Sequence, residues 1–141
     1  MAVRKLIPLC DKIGRARIEE QIHRFYEKLQ QDPEMKGFFE HIPDFSAHEQ
    51  RIADFWWTAM GGRLDHDPGI DMVGKHMPLG IKDEHIQRWL ATFKETLYEV
   101  MEPELADQWY MMAEGIAMRL RQIVVAGEMP GMPQRPSEPR S

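Results

Sequence analysis

The chain is predicted to fold as an all-α domain, on three observations. Apolar residues recur at intervals of three and four along most of it, no segment alternates with period two for long, and no internal repeat is visible. At 141 residues it fits one ordinary domain, large enough to bury a core without disulfide or metal staples. The domain is expected over residues 1–126, with a tail over 127–141.

The first helix is expected over residues 15–31, where Ile18, Ile22, Phe25, Tyr26 and Leu29 share one face. Asp32-Pro33 ends it, and the same pair suits the cap and first position of a short helix over residues 33–39 with Met35, Phe38 and Phe39 inward. Ser46 followed three residues later by Glu49 reads as a capping box. It would open a helix whose stripe is His48, Ile52, Phe55, Trp56 and Ala59, closed by Gly61-Gly62.

Residues 63–81 carry Pro68, Gly69, Gly74, Pro78 and Gly80, which leave room for at most one short helix around residues 71–77. Asp83 is the expected cap of a strong helix bearing Ile86, Trp89, Leu90, Phe93, Leu97 and Tyr98. Pro103 separates it from a last helix bearing Leu105, Trp109, Met112, Ile116, Leu120 and Ile123. After Gly127 the run EMPGMPQRPSEPRS is too poor in apolar surface to offset the entropy of ordering, so a disordered tail is expected.

Composition narrows the function classes. With 18 basic against 23 acidic side chains, the two signs interspersed, there is no concentrated basic face for a nucleic-acid backbone. One cysteine, Cys10, cannot form an internal disulfide, which suits a reducing compartment. The start MAVRKLIPLC is too short and proline-broken in its apolar part for a signal peptide, and nothing later is apolar enough to span a bilayer. A cytoplasmic protein with no membrane partner is the expectation.

Six histidines, at positions 23, 41, 48, 66, 76 and 85, raise the question of a metal site. The EQIH stretch ending at His23 is half of a di-iron pattern whose second half is missing. His23 also lies about a hundred degrees round the helix from Ile22, at the edge of the buried face, and reads as a surface histidine. HEQRI begins like a zinc-protease helix, but Ile52 stands where the second ligand is needed. His48 continues the apolar stripe of its helix, which fits a satisfied core or boundary histidine as well as a ring turned into a pocket. His76 lies in the Gly- and Pro-punctuated segment before a strongly apolar helix, where a ring nitrogen can be presented to a pocket. Tyr26 and Trp89 sit on buried faces of two helices, each with one polar donor that needs a partner, or serve as ordinary core aromatics. Glycine-rich phosphate loops, GxSxG elbows and paired-cysteine zinc sites are absent from the sequence.

Read in order, FYEKLQQDPEMKGFF, HEQRIADFWW, GKH and RWLATFKETL resemble the truncated haemoglobins, most closely the group with Phe-Trp ending the distal helix, group III. The likeness spans about residues 13–126 and rests on order and spacing: Phe39 thirteen residues beyond Tyr26, His48 seven before Phe55, then His76, Trp89-Leu90 and Phe93. The resemblance implies a two-over-two helical sandwich around haem b, with His76 as proximal iron ligand and Tyr26, His48 and Trp89 on the distal side. It further implies that Phe25, Phe39, Ile52, Phe55, Trp56, Leu79, Ile86 and Phe93 pack on the macrocycle, and that Arg51 and Lys75 reach the propionates. The chain departs from the family at residues 64–70, where LDHDPGI replaces a loop aromatic and a Gly-x-Pro turn. Pro78 biases Met77 away from helix, so the proximal helix should be very short.

What the resemblance implies for function is binding of O2, NO, CO, cyanide or peroxide at the haem, with NO dioxygenase or peroxidase-like chemistry as a possible redox role. No flavin or nicotinamide motif lies in the chain, so multiple turnovers imply an external reductase. A monomer or weak homodimer is expected. The rival reading is a non-haem helical interaction module, in which eleven methionines and several aromatics form an adaptable core or groove. A di-iron or zinc enzyme fails on ligand count.

Overall fold

The computed structural model of the chain describes residues 7–66 and 80–125, with side chains through 123. Among the described residues the regular structure is helical, with no strand. The short helix expected at 71–77 and the tail after Gly127 lie outside them.

A short helix the sequence reading did not anticipate comes first: α1, Leu9–Ile13, buries Cys10 and Ile13. It leads through Gly14, at φ +90°, into α2, Arg15–Gln31. Every predicted apolar position of α2 is buried, and Gln21 joins them, its amide donating to the Phe93 carbonyl at 3.1 Å.

The short α-helix expected over residues 33–39 is instead a turn followed by a 3-10 segment, Lys36–Phe39. The Asp32 carboxylate accepts from the Glu34 N–H at 3.0 Å, two residues on, and so folds a tight turn instead of capping a helix. Met35 is buried, as expected, and Phe38 and Phe39 are half-buried.

Helix α3, Phe45–Ala59, is capped by Asp44, whose side chain accepts from the Ala47 N–H at 3.0 Å. The predicted capping box of Ser46 and Glu49 is therefore displaced: Ser46 falls inside the first turn, and a charged carboxylate two residues upstream takes the cap. The far end closes as expected at the glycine pair, where Gly61 donates to Thr58 at 3.1 Å and Gly62 to Trp57 at 2.8 Å. Gly61 has φ +99°, and a Cβ there would stand 2.9 Å from the Pro8 ring, so the site demands glycine twice over.

Helix α4, Asp83–Val100, begins one residue earlier than predicted. Lys82 is the cap and Asp83 the first helical residue, because the Lys82 N–H donates to His85 Nδ1 at 2.9 Å. Tyr98, expected on the buried stripe, is 43% exposed and its hydroxyl donates to Asp107. Thr96 takes the buried place, its hydroxyl satisfied by the Thr92 carbonyl at 2.8 Å.

Helix α5, Pro103–Leu120, starts with proline at its first position and runs into a π turn, Arg121–Val125. Its buried line is Leu105, Ala106, Trp109, Ala113 and Ala117, rotated from the predicted one; Met112, Ile116 and Leu120 flank it, half-covered. The alanines let the helices approach closely, which large side chains prevent.

Helix α2 packs on both α3 and α4, α4 packs on α5, and α1 bridges α2, α3 and α5. The result is two helical pairs, one laid over the other, around one continuous core that includes Phe25, Trp56, Phe93 and Trp109.

Candidate functional site

Adjacent residues on α2, Phe25 and Tyr26, divide the aromatic side chains into a core and a wall. The Phe25 ring meets Phe93 at 4.9 Å and Trp89 at 5.2 Å, both edge-on. Tyr26 turns toward the other side, against Phe39 at 5.5 Å, Phe45 at 5.4 Å and His48 at 5.3 Å. Tyr26 and His48 are thus in contact, and Trp89 joins the cluster through the Phe25 ring and is stacked on Phe93 at 5.0 Å.

The wall is incompletely covered by protein. Phe39, Phe45, Ile52, Phe55 and Trp89 pack on the core yet remain only partly buried. Behind them Phe25, Trp56 and Phe93 are 2% exposed or less, with Trp56 against Phe93 and Trp109, both at 5.7 Å. Ile86 is buried at the start of α4, and Arg51 lies on the exposed side of α3. Lys75, His76 and Leu79 fall outside the described residues.

Burial, reinforced by the Glu49 carboxylate, pushes the Tyr26 phenol well above its ordinary range. The phenol therefore stays protonated, a neutral donor set among rings. Phe45, which the sequence reading passed over, touches Tyr26, Phe39 and His48 at once. Its signal was its place three residues before His48, one turn back on the same stripe.

Ion pairs fasten α3 to its neighbours outside the wall. At one end His23 Nδ1 lies 2.9 Å from Glu49, and at the other Arg15 donates to Asp54 at 2.6 Å. His66, just beyond α3, has Nε2 3.3 Å from Asp54 and Nδ1 2.7 Å from Asp65. Among the described residues no group of three or more His, Cys, Asp or Glu is arranged to hold a metal ion.

A flat apolar group suits this arrangement: five large side chains offer uncovered carbon, and Tyr26 supplies one neutral donor beside them. Two stacked helical pairs with such a wall between α2, α3 and α4 define a truncated, two-over-two globin. The chain belongs to the bacterial-like globin family, whose model matches residues 8–122. It is a haem-binding globin.

Solved structures agree in fold. The 2/2 haemoglobin of a Synechococcus species, solved in the cyanomet state with covalently attached haem, is similar at 26% identity and TM-score 0.73, covering 85% of this chain and 99% of that one. The group III truncated haemoglobin of Campylobacter jejuni is similar at 21% identity and TM-score 0.73, covering 92% and 99%. A truncated oxygen-avid haemoglobin from Bacillus subtilis is similar at 21% identity and TM-score 0.70, covering 81% and 98%. A comparison with curated proteins finds no match.

Proposed function

We propose that this chain is a haem b protein of the group III kind in which His76 holds the iron and Tyr26, His48 and Trp89 serve the opposite, ligand-binding side. The observation that carries the reading is the buried Tyr26 phenol, ringed by Phe25, Phe39, Phe45 and His48 beside a half-covered apolar wall. In this reading Phe39, Ile52, Phe55, Leu79 and Ile86 contact the macrocycle, Phe25, Trp56 and Phe93 back it, and Arg51 and Lys75 reach its propionates.

Haem supplies an iron centre that binds diatomic ligands and exchanges electrons. The Tyr26 hydroxyl and the Trp89 N–H are donors for a ligand carrying partial negative charge, each such bond contributing on the order of 1.5 to 3 kcal/mol. His48, ring to ring with Tyr26, is placed to gate access or to add a third donor. Slow release of O2 follows, in keeping with the oxygen-avid Bacillus subtilis structure among the similar folds. That pocket suits NO dioxygenation or peroxide turnover, fed in the cytoplasm by an external reductase, better than reversible delivery.

The visible spectrum of the purified chain tests this. A Soret band is expected in the wild type, lost or weakened in His76→Ala. A colourless protein that also takes up no added haemin would falsify the reading and favour the helical interaction module.

A further inference from the structure

One ion pair sits directly behind the proposed ligand side. His23, on α2, faces two carboxylates: its Nδ1 is 2.9 Å from Glu49 on α3 and its Nε2 is 3.4 Å from Glu27 one turn along α2. A neutral imidazole has one donor and one lone pair, so one of these contacts would set a lone pair against a carboxylate. The imidazolium keeps the Glu49 hydrogen bond and adds attraction to Glu27, which stands at ion-pair distance and makes no hydrogen bond to the ring. His23 precedes Tyr26 by three residues and Glu49 directly follows His48, so the pair closes the α2–α3 seam one turn outside the Tyr26–His48 ring contact.

We propose that His23 and Glu49 are positioning residues for the distal pocket: the His23 imidazolium clasps α3 to α2 beside His48, and loss of its proton loosens that seam and quickens ligand access to Tyr26. The proposal rests on the haem reading above.

The charges around His23 fit the role. Glu49 faces it from α3 and Glu27 from α2, while the α4 carboxylates Glu95 and Glu99 are engaged by Lys28, and Glu99 also by Arg24. Glu49 is mostly covered, its side chain 18% exposed, and its charge also bears on Tyr26. Its hydrogen bond to His23 raises the imidazole above its ordinary value, with burial opposing and the Glu49 and Glu27 charges adding. The sign follows: a raised folded pKa means the clasp is complete at low pH and is lost as pH rises through that raised value.

Two measurements on the full chain test the inference separately from the haem assignment. An NMR titration of the His23 ring needs no haem: titration above the ordinary imidazole value is expected in the wild type, falling back to it in Glu49→Gln. In the haem-loaded ferrous protein, CO association after flash photolysis should rise about two- to fivefold, the scale of one exposed ion pair, between about pH 6 and pH 9. His23→Gln should sit on the fast plateau with that rise removed. An ordinary His23 titration, or a His23→Gln protein that keeps the wild-type rise, overturns the proposal. A chain that takes up no haem overturns the functional reading instead, and the NMR titration still reports on the clasp.

Discussion

Two groups of aromatic side chains meet along α2, and protein covers them very differently. On the α4–α5 side, Phe25, Phe93, Trp56 and Trp109 are enclosed ring against ring. On the α3 side, Phe39, Phe45, Ile52 and Phe55 have their backs to the core and part of their surface uncovered. The chemistry of the side chains is alike, so coverage separates their tasks: enclosed rings supply cohesion, and half-covered ones leave apolar area for a ligand.

The largest effect that can break this comparison lies in the enclosed group. Phe93→Ala removes a ring in contact with four others and should destabilise the fold by about 3 to 5 kcal/mol in urea unfolding. A loss below about 1 kcal/mol would place Phe93 in the wall and not in the core. On the other side Tyr26→Phe keeps the ring and removes only the hydroxyl, so stability should change little. Dioxygen dissociation should instead speed up by roughly tenfold or more, the factor that about 1.4 kcal/mol produces. Unchanged stopped-flow rates would remove Tyr26 from the ligand side.

The smallest effect lies on the rim, where Asp32 accepts a hydrogen bond from Arg88 of α4. That bond, with the Glu34 N–H and the Arg88 charge, holds the Asp32 carboxyl below the ordinary carboxylate range despite an opposing cost of burial. Its contribution is present above the unfolded pKa and lost as pH falls through the lower folded one. Asp32→Asn should therefore lower stability slightly at neutral pH and flatten its decline in acid, read as melting temperature against pH. A steeper acid decline in the variant would count against the pair.

The helical architecture was legible because α2, α3, α4 and α5 each repeat apolar residues at close to helical period, and the glycine pair after α3 marks its end. What escaped the reading has physical reasons. The line of α5 that packs deepest is alanine, and periodicity weighted by large side chains points to Met112 and Ile116 instead. Asp44 outcompetes Ser46 for the cap, and at the next start the cap falls to Lys82, whose N–H donates to His85, instead of to Asp83, because several candidates lie within two or three residues and local sequence does not rank them. Tyr98 joined the expected stripe as an aromatic, yet its hydroxyl finds Asp107 in solvent-facing surroundings. In the site, Tyr26 and Trp89 were visible as donors on buried faces, but their relation to His48 required knowledge of which helices meet. The Glu49 contact with His23 joins residues twenty-six apart, a separation no local pattern reports.

The alanine line of α5 bears on how this globin can change over evolution. Ala106, Ala113 and Ala117 are each 3% exposed or less, so a larger side chain there forces the helices apart at a cost of about 1 to 3 kcal/mol. The α5 seam is thus nearly closed to variation in volume. The α3 wall, with side chains that still have free surface, accepts changes of size at low cost to folding. Evolvability is concentrated on that one flank, and the pocket can be reshaped for a new ligand while the opposite half of the molecule stays as it is.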